Sequence, residues 1–583
     1  MRLNPLQHAL NTTRMPLAAP LVALALLVAC DTPRVGPRGP EGPQGPPGAS
    51  GGGATSDAGD EPDAPSRDTD SEPDAATAPC PEWTAPPGLG GAADAEVSLD
   101  AADRWKAFRA AREQERMLEA WDPARVTRRY RVEQRDIAAG CVSTDALIDL
   151  GRGLFLRSFT LAEGLGNDLG QVEGSPAGRL PRPNMRRLQQ GHFGGPDATS
   201  CANCHWKGGF AGGGDHTDNM YILGDGDDLS THDARNPPTL WGAGWAELVA
   251  REMTAALHAQ RDQLRRDALD SGEPATVALQ THGVRFGALT ATPTGDEVTF
   301  DTSAVEGIDP DLVIKPFGWK GVFSTLRHFV RNSLHVHMGL QPEELLAHPD
   351  PETDPGNGPD PDDPDHDGVT REFTEGQLTA LVLFLATLDA PLVEVPTASG
   401  VDGPPYSGEF NLVDGQEMTF RWLDGSAIFT GIGCDACHVP VMAIRASRYT
   451  TQARVSGEST SIDLAIDGAR PLPTQRDDGV WLVPTFSDFK RHRMGDRLAG
   501  RHAERGVAPD VYMTRRLWGL AGSAPYLHDG SAILLDEAIA MHGGEGSEAR
   551  GQAEAFMALS ERDKASLRVF LRSLRRAPTI RVR

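Results

Sequence analysis

Three features that this chain of 583 residues has little of narrow the functions open to it. Basic residues are outnumbered, 56 Lys and Arg against 82 Asp and Glu, and the net charge of −26 disfavours a nucleic-acid partner. The apolar run from Leu17 to Ala29 is too short for a membrane-spanning helix. Strand signals are few and short, which predicts a mostly α fold with long irregular loops. An apolar content of 39% is nevertheless enough for globular cores.

The N-terminus is typical of a targeting segment. Arg2 and Arg14 precede the apolar run, which ends in Leu27-Val28-Ala29-Cys30, and this order predicts a signal peptide over residues 1–30. The ending is similar to a bacterial lipobox, in which Cys30 becomes the lipidated first residue, and ordinary secretion is the alternative. Both interpretations place the chain outside the cytoplasm. The first predicts a lipoprotein of the bacterial cell envelope that faces the periplasm or lies at the outer surface.

Cysteine is scarce, with seven residues, and four of them lie in two Cys-x-x-Cys-His motifs. The motifs are Cys201-Ala-Asn-Cys204-His205 and Cys434-Asp-Ala-Cys437-His438. This spacing is typical of c-type haem attachment, because the two thiols can form thioethers to the porphyrin and the adjacent histidine can ligate iron. Two zinc knuckles are the alternative, but they would need their remaining ligands at unusual spacing. The sequence therefore predicts two covalently bound haem c groups.

Cys80 and Cys141 remain after lipid and haem are assigned. An oxidising compartment permits them to form a disulfide, and the alternative is two buried or free thiols.

The chain divides by composition into a tether, a helical extension and two haem domains. Residues 31–80 predict a disordered tether, since Gly36 to Ser50 forms five collagen-type triplets and an acidic Ser/Asp/Pro/Ala-rich stretch follows. The triplets favour an extended spacer, with a collagen-like trimer as the alternative. We expect a helical N-terminal extension over 81–140, with a helical pattern at Ala101–Ala120. The first haem domain then covers 141–400 and the second 401–583.

Two helices and one acidic loop can be predicted within the haem domains. Helices are expected at roughly Thr374–Leu388 and Ser560–Arg575. The loop reads Asp363-x-Asp365-x-Asp367-Gly368, the start of a calcium-binding pattern, but its twelfth position is Thr374 instead of Glu. A calcium site and a solvated acidic loop are both open.

The motifs and five further stretches resemble the bacterial di-haem cytochrome c peroxidase superfamily over roughly residues 145–575. The nearest resemblance is to its di-haem oxidoreductase branch, which includes peroxidase-like and thiol-oxidoreductase-like members. The five stretches are Gly151-Arg-Gly-Leu-Phe155 through Gly164-Leu-Gly166; Arg235-Asn-Pro-Pro-Thr-Leu-Trp-Gly-Ala-Gly244; Phe317-Gly-Trp-Lys320 with Thr325-Leu326 and Met338-Gly339; His492-Arg-Met-Gly495; and Leu517-Trp-Gly-Leu520 through Ala524-Pro-Tyr-Leu-His-Asp-Gly530 to His542-Gly-Gly-Glu545.

The resemblance implies two cytochrome c-like domains packed together, with the haems close enough for electron transfer. The N-terminal haem would be the low-potential, peroxide-reactive one, and electrons would reach it from the high-potential C-terminal haem. Met494 would be the sixth ligand of the second haem, with a core methionine as the alternative. Trp319 falls where the superfamily often has an aromatic residue near the path between the haems. It would assist electron transfer or simply pack.

The distal side of the first haem departs from the family. His337 stands where the family has an acid/base Glu, and Phe329 stands where it has Gln. His337 could transfer the peroxide proton, since the pKa of histidine is near 6.5, could ligate the iron, or could be structural. His335, His216 and His232 are other candidates for distal roles, although an exposed loop histidine is the favoured interpretation of His216.

These residues predict a lipid-anchored di-haem c-type oxidoreductase that reduces hydrogen peroxide or another small oxidant. Its electron donor would be a small protein such as a cytochrome c or a cupredoxin. One alternative is a pure electron-transfer cytochrome, which the missing Glu favours. Another is a haem enzyme that oxidises an external organic or protein substrate with oxygen, for which Phe329 would supply an apolar pocket.

Overall fold

The computed structural model describes residues 130–166, 188–189, 192–193, 198–223, 229–348, 363, 368–390, 392–393 and 415–575. The chain divides into two compact units, 1–73 and 74–583, and all described residues belong to the second. The predicted signal peptide with Cys30, the tether, Cys80, the helical pattern at 101–120 and the domain boundary at 401 lie outside the described residues.

Eleven α-helices are found in the described part of the chain, and most are short. They are α1 Gln134–Ala138, α2 Thr144–Leu156, α3 Ala243–Ser271, α4 Leu326–Ser333, α5 Glu343–Ala347, α6 Glu375–Ala386, α7 Gly415–Gly431, α8 Leu464–Asp467, α9 Leu535–Met541, α10 Arg550–Met557 and α11 Glu561–Arg572. A π-helical turn, Leu334–Met338, continues α4. Among these helices, none is both long enough and apolar enough to cross a membrane.

Sixteen short strands lie between the described helices and form seven small sheets. They are β1 Leu188–Gln189, β2 His192–Phe193, β3 Met220–Ile222, β4 Asp233–Arg235, β5 Ala275–Thr281, β6 Val284–Thr294, β7 Glu297–Asp301, β8 Leu392–Val393, β9 Met442–Ile444, β10 Arg448–Gln452, β11 Ser459–Asp463, β12 Thr474–Gln475, β13 Trp481–Val483, β14 Arg491–Arg493, β15 Val511–Met513 and β16 Leu574–Arg575. The prediction of a mostly α fold is wrong, because 39% of the described residues are helical and 19% are in strands.

The antiparallel sheet β5-β6-β7 is the largest element that the sequence prediction missed. Its strands bury few large apolar side chains, and the exposed positions of β5 alternate with partly buried ones, so the apolar signal is weak. The turns carry a clearer signal. His282 and Gly283 join β5 to β6, and both have positive φ angles, 49° and 79°, as a tight two-residue hairpin requires.

Helices α2 and α6 pack together in the core of the first motif's region. Thr374 begins α6 as predicted, because its hydroxyl accepts a hydrogen bond from Gln377 N at 3.1 Å. A Cβ at Gly151 would overlap the Ala380 carbonyl, so only glycine lets the two backbones approach this closely. Phe155 then packs between Phe210 and Phe384, with ring centroids 5.4 and 5.7 Å away. The glycine-rich lead-in to the first motif therefore has a packing role.

Helices α7 and α11 form the corresponding core of the second motif's region. The predicted C-terminal helix is confirmed as α11, and Ser560 caps it by accepting a bond from Asp563 N. Gly425 on α7 lies against the Ser566 carbonyl, and Trp422 Nε1 donates to Ser573 Oγ at 2.8 Å. These contacts hold α7 in position for the turn that follows it and carries Cys434.

Candidate functional site: two Cys-x-x-Cys-His centres

The first motif begins with a 3-10 turn, Cys201–Asn203, that brings its side chains together. His205 N bonds to the Cys201 carbonyl at 3.1 Å. The glycine-rich loop behind the motif folds back, and Gly212 accepts a hydrogen bond from His205 Nδ1 at 3.2 Å. A Cβ at Gly212 would overlap the Lys207 carbonyl, so the loop needs glycine there. His205 is therefore held in one orientation by its own loop.

The second motif repeats this arrangement with a partner more distant in sequence. Cys434–Ala436 form the 3-10 turn, and His438 N bonds to the Cys434 carbonyl at 2.9 Å. His438 Nδ1 donates to the Phe486 carbonyl at 3.0 Å. Phe486 has a φ of 45°, an uncommon and strained value for a residue of this size. This backbone conformation directs the Phe486 carbonyl toward His438.

The protonation of both centres fits haem better than a redox dithiol. Burial lowers the pKa of His205 and His438 to about 4, so both rings are neutral. With Nδ1 donating, Nε2 of each ring carries the lone pair that a metal needs. Burial raises the pKa of Cys201 and Cys434 to about 12, and none of the four motif cysteines forms a disulfide.

His337 lies beside the first motif. It belongs to the π-helical turn after α4, an irregularity frequent at functional sites. Its carbonyl accepts a bond from Ala198 N at 3.4 Å, three residues before Cys201. After burial, the nearby His337 also helps to lower the pKa of His205, so the two histidines share one site.

The other residues considered for the distal side lie in different surroundings. Phe329 packs against Phe317 and Phe323, with centroids 6.2 and 5.3 Å away, in a cluster of aromatic rings. His216 is exposed in a 3-10 turn, as expected for a loop histidine. His335 and His232 are buried.

One cavity of about 290 Å³ lies at the second motif. Its wall includes Cys434, Cys437 and His438, together with Met494, the sixth ligand that the resemblance implies. His542 lines the same cavity, although the sequence prediction gave it no role. The available signal was its place in the His-Gly-Gly-Glu stretch, directly after α9.

His542 shares two features with the motif histidines: a backbone hydrogen bond at Nδ1 and a lowered pKa. Its Nδ1 donates to the Ala538 carbonyl at 2.8 Å, one turn back on α9, and burial lowers its pKa. His542 also contributes to the lowered pKa of His438, after burial, which indicates that the two rings are close. Met494 and His542 therefore line the same cavity, and either could help to hold a metal there.

Residues 418–574 match the model of a family described as "Di-haem oxidoreductase, putative peroxidase". This region is therefore similar to the di-haem oxidoreductase family. The match covers the second motif, Met494 and His542, and it confirms the branch that the sequence resembles. It supports two haem groups and oxidoreductase chemistry in general. No curated protein matches the chain.

His492, in the family's His-x-Met-Gly stretch, is a fixed cation beside the second centre. Burial alone would lower the pKa of His492. Hydrogen bonds to Asp488, Cys437 and Glu548 instead raise this pKa to about 12. Its Nε2 lies 2.8 Å from Asp488 and its Nδ1 lies 2.7 Å from Glu548. Cys437, Asp488 and His492 are close enough to hold a metal ion. However, both His492 nitrogens are engaged by carboxylates, which argues against a zinc knuckle here.

Trp319 lies between the two Cys-x-x-Cys-His centres. It lines the cavity with His438, and its Nε1 donates to the Asn236 carbonyl at 2.8 Å. Two residues further on, the Pro238 carbonyl accepts a hydrogen bond from His205. This position is consistent with both predicted roles of Trp319, electron transfer and packing.

Each centre has a Leu-Trp-Gly stretch that packs against the other. A Cβ at Gly242 would overlap the Trp518 ring, and one at Gly519 would overlap the Trp241 ring. Trp241 Nε1 donates to the Phe210 carbonyl at 2.8 Å, in the loop that holds His205. Trp518 Nε1 donates to the Pro484 carbonyl, two residues before Phe486. The two stretches thus connect the supports of the two motif histidines.

Two peripheral predictions are only partly covered by the structure. Cys141 is disulfide-bonded, but its partner lies outside the described residues, so the pairing with Cys80 stays a prediction. In the acidic loop, Asp363 accepts a bond from Gly368 N at 3.1 Å, whereas Asp365 and Asp367 lie outside the described residues. The Thr374 hydroxyl donates to the Val132 carbonyl and caps α6. The twelfth position of the calcium pattern is therefore committed to capping.

Proposed function

We propose that the chain is a di-haem c-type oxidoreductase that reduces hydrogen peroxide or a related small oxidant. The observation that carries this proposal is the shared site of His205 and His337. A neutral, backbone-held histidine suits an iron ligand, and a second histidine beside it can handle the protons of peroxide.

Cys201 and Cys204 would attach one haem and Cys434 and Cys437 the other, with His205 and His438 as iron ligands. When bound, each haem would supply an iron that exchanges single electrons, and an iron with an unfilled sixth position can also bind a small oxidant. The buried thiols and the apolar wall of the second cavity, formed in part by Phe429, Leu517 and Leu571, fit this group.

The residues of this chain would divide the remaining tasks. His337 would accept a proton from peroxide and return it to the leaving oxygen, the task of the family's Glu. Trp319 would lie on the electron path from the second centre to the first. At the second centre we propose His542 as the sixth ligand in place of Met494, because its Nδ1 is already bonded and its Nε2 remains available.

The setting of the reaction follows from the targeting segment. We propose that Cys30 carries lipid and that the chain works in the bacterial cell envelope, facing the periplasm or the outer surface. A small electron-donor protein, such as a cytochrome c or a cupredoxin, would deliver electrons to the second centre.

The same pair of histidines supports a second function. If His337 ligates the iron held by His205, both irons are six-coordinate and the protein is an electron-transfer cytochrome. Peroxide consumption by the haem-loaded chain with a chemically reduced donor cytochrome separates the two functions. The proposed function predicts turnover that depends on both donor and peroxide, and its absence in protein that carries two haems would leave electron transfer.

A further inference from the structure

Two adjacent arginines, Arg515 and Arg516, line the cavity of the second centre. The Arg515 guanidinium stacks over the Trp319 ring, 4.8 Å from its centroid, and the Arg516 guanidinium stacks over Trp518 at 4.7 Å. The two indole rings fix the direction of both side chains. The cavity therefore has a doubly cationic wall on the side of Trp319.

Neither arginine forms an ion pair with a carboxylate in the described part of the chain. Arg515 Nη1 has only a long bond, 3.4 Å, to the Gly318 carbonyl, and Arg516 Nη1 is buried with no hydrogen-bond partner among the described residues. Burial lowers the pKa of Arg515 to about 10, and burial together with the charge of Arg515 lowers the pKa of Arg516 to about 9.

Three buried arginines elsewhere in the described residues are paired with carboxylates. Arg235 bonds to Glu504 at 3.1 Å, Arg327 to Glu344 at 2.7 Å, and Arg157 to Glu163. Two like charges side by side in a cavity are unfavourable unless an anion joins them. A ligand with two negative groups would complement this partly buried wall.

We propose that Arg515 and Arg516 bind the two propionate carboxylates of the haem attached at Cys434 and Cys437. This inference rests on the proposed haem at the second centre. A porphyrin bound through its vinyl groups carries its carboxylates on the opposite edge, and guanidinium forks match carboxylates in geometry and charge. The anionic edge of this haem then faces Trp319 and the segment of Asn236, which leads to His205.

The proposal predicts a change in redox equilibrium, because a cation that neutralises a propionate favours the reduced iron. In Arg516→Gln or Arg515→Gln, the propionate is left unneutralised, and the ferric state of the second haem gains stability. We expect at least a tenfold shift in its reduction equilibrium, which corresponds to a potential about 59 mV lower for one electron. Arg516→Lys keeps the charge and should recover part of the shift.

The test is a spectroscopic redox titration of the full chain loaded with haem, together with resonance Raman spectra of the propionate modes. Arg550→Gln, at an exposed arginine on α10, is the matched control and should leave both potentials unchanged. A lower potential and altered propionate modes for the haem of His438 alone would support the proposal. Unchanged potentials, or a shift confined to the haem of His205, would overturn it.

Haem content is measured first in every variant by mass and by absorbance of the pyridine adduct. If the wild-type chain carries no haem at Cys434 and Cys437, the proposed function itself is wrong. If the variants retain two haems and their potentials do not shift, only the proposed role of the arginines is wrong.

Discussion

A hydrogen bond from Nδ1 to the backbone orients each of three histidines, His205, His438 and His542. In each case Nδ1 donates to a backbone carbonyl, from Gly212, Phe486 and Ala538. Such a bond orients the ring and raises the basicity of Nε2. Each ring is therefore oriented so that its Nε2 could ligate iron.

The ligand set of the second haem can be tested directly at His542. We expect His542→Ala to abolish the low-spin bis-histidine signal of this haem, because the proposed sixth ligand is lost. Met494→Ala is the matched variant and should keep that signal. Electron paramagnetic resonance (EPR) of the ferric protein checks both. Loss of the low-spin signal in Met494→Ala alone would restore methionine as the ligand.

His337 can be tested as the acid/base of the first centre. We expect His337→Ala to slow peroxide consumption by about 10²-fold, since a positioned proton donor contributes about this much. His216→Ala, at an exposed histidine after the same motif, is the control and should keep the wild-type rate. An unchanged rate in His337→Ala would remove this residue from the mechanism.

The motif residues could be proposed from the sequence, whereas the residues that hold them in the fold could not. Cys-x-x-Cys-His is a local pattern, so His205 and His438 could be identified from spacing alone. Phe486, which holds His438, is 48 residues away, and only the folded chain brings the two together. His542 lies in the His542-Gly-Gly-Glu545 stretch, but no local pattern shows that its ring lies close to His438.

At the scale of elements, the buried carboxylate of Glu247 joins three elements of the core around α3. It lies on α3 and accepts bonds from Leu326 N at the start of α4, at 2.8 Å, and from Tyr449 Oη on β10, at 2.9 Å. Arg251 forms an ion pair with it one turn along α3. Burial raises the pKa of Glu247, while these three partners oppose that rise.

We expect Glu247→Ala to lower the free energy of unfolding by about 3 kcal/mol, because a buried N–H and a buried hydroxyl lose their acceptor. Glu273→Ala, at an exposed residue just after α3, is the control and should change stability by less than about 0.5 kcal/mol. Urea unfolding followed by circular dichroism measures both. Equal midpoints for the two variants would show that Glu247 does not join these elements.

Elements with strong caps were predicted well, and the three-stranded sheet was not. Thr374 and Ser560 begin α6 and α11 within one residue of the expected starts. Strands β5 to β7 have short, partly polar patterns, and their pairing depends on contacts with α3 that no local window shows. The two-residue His-Gly turn was the one local signal that could have revealed this sheet.

At the scale of the whole molecule, the reciprocal Leu-Trp-Gly contacts make each centre depend on the other. We expect Gly519→Ala to cost about 3 kcal/mol of stability, from its φ of 75° and from overlap with Trp241. It should also perturb the spectrum of the first haem, because Trp241 holds the loop behind His205.

Gly546→Ala is a close control for this prediction. Gly546 has a similar φ, 80°, but a Cβ there would meet nothing within 4 Å. We expect a cost of about 1–2 kcal/mol from backbone strain alone and no spectral change at the first haem. Thermal unfolding and absorption spectra distinguish the two variants, and identical behaviour would show that the reciprocal contact carries no coupling.

The measurement that tests the central claim most directly is EPR of the half-reduced, haem-loaded chain. We propose that the iron held by His205 has an accessible sixth position, with His337 beside it as a proton donor and acceptor. We therefore expect a high-spin ferric signal from this haem once the second haem is reduced. A low-spin ferric signal alone would mean that both irons are closed, and it would contradict the proposed peroxide chemistry.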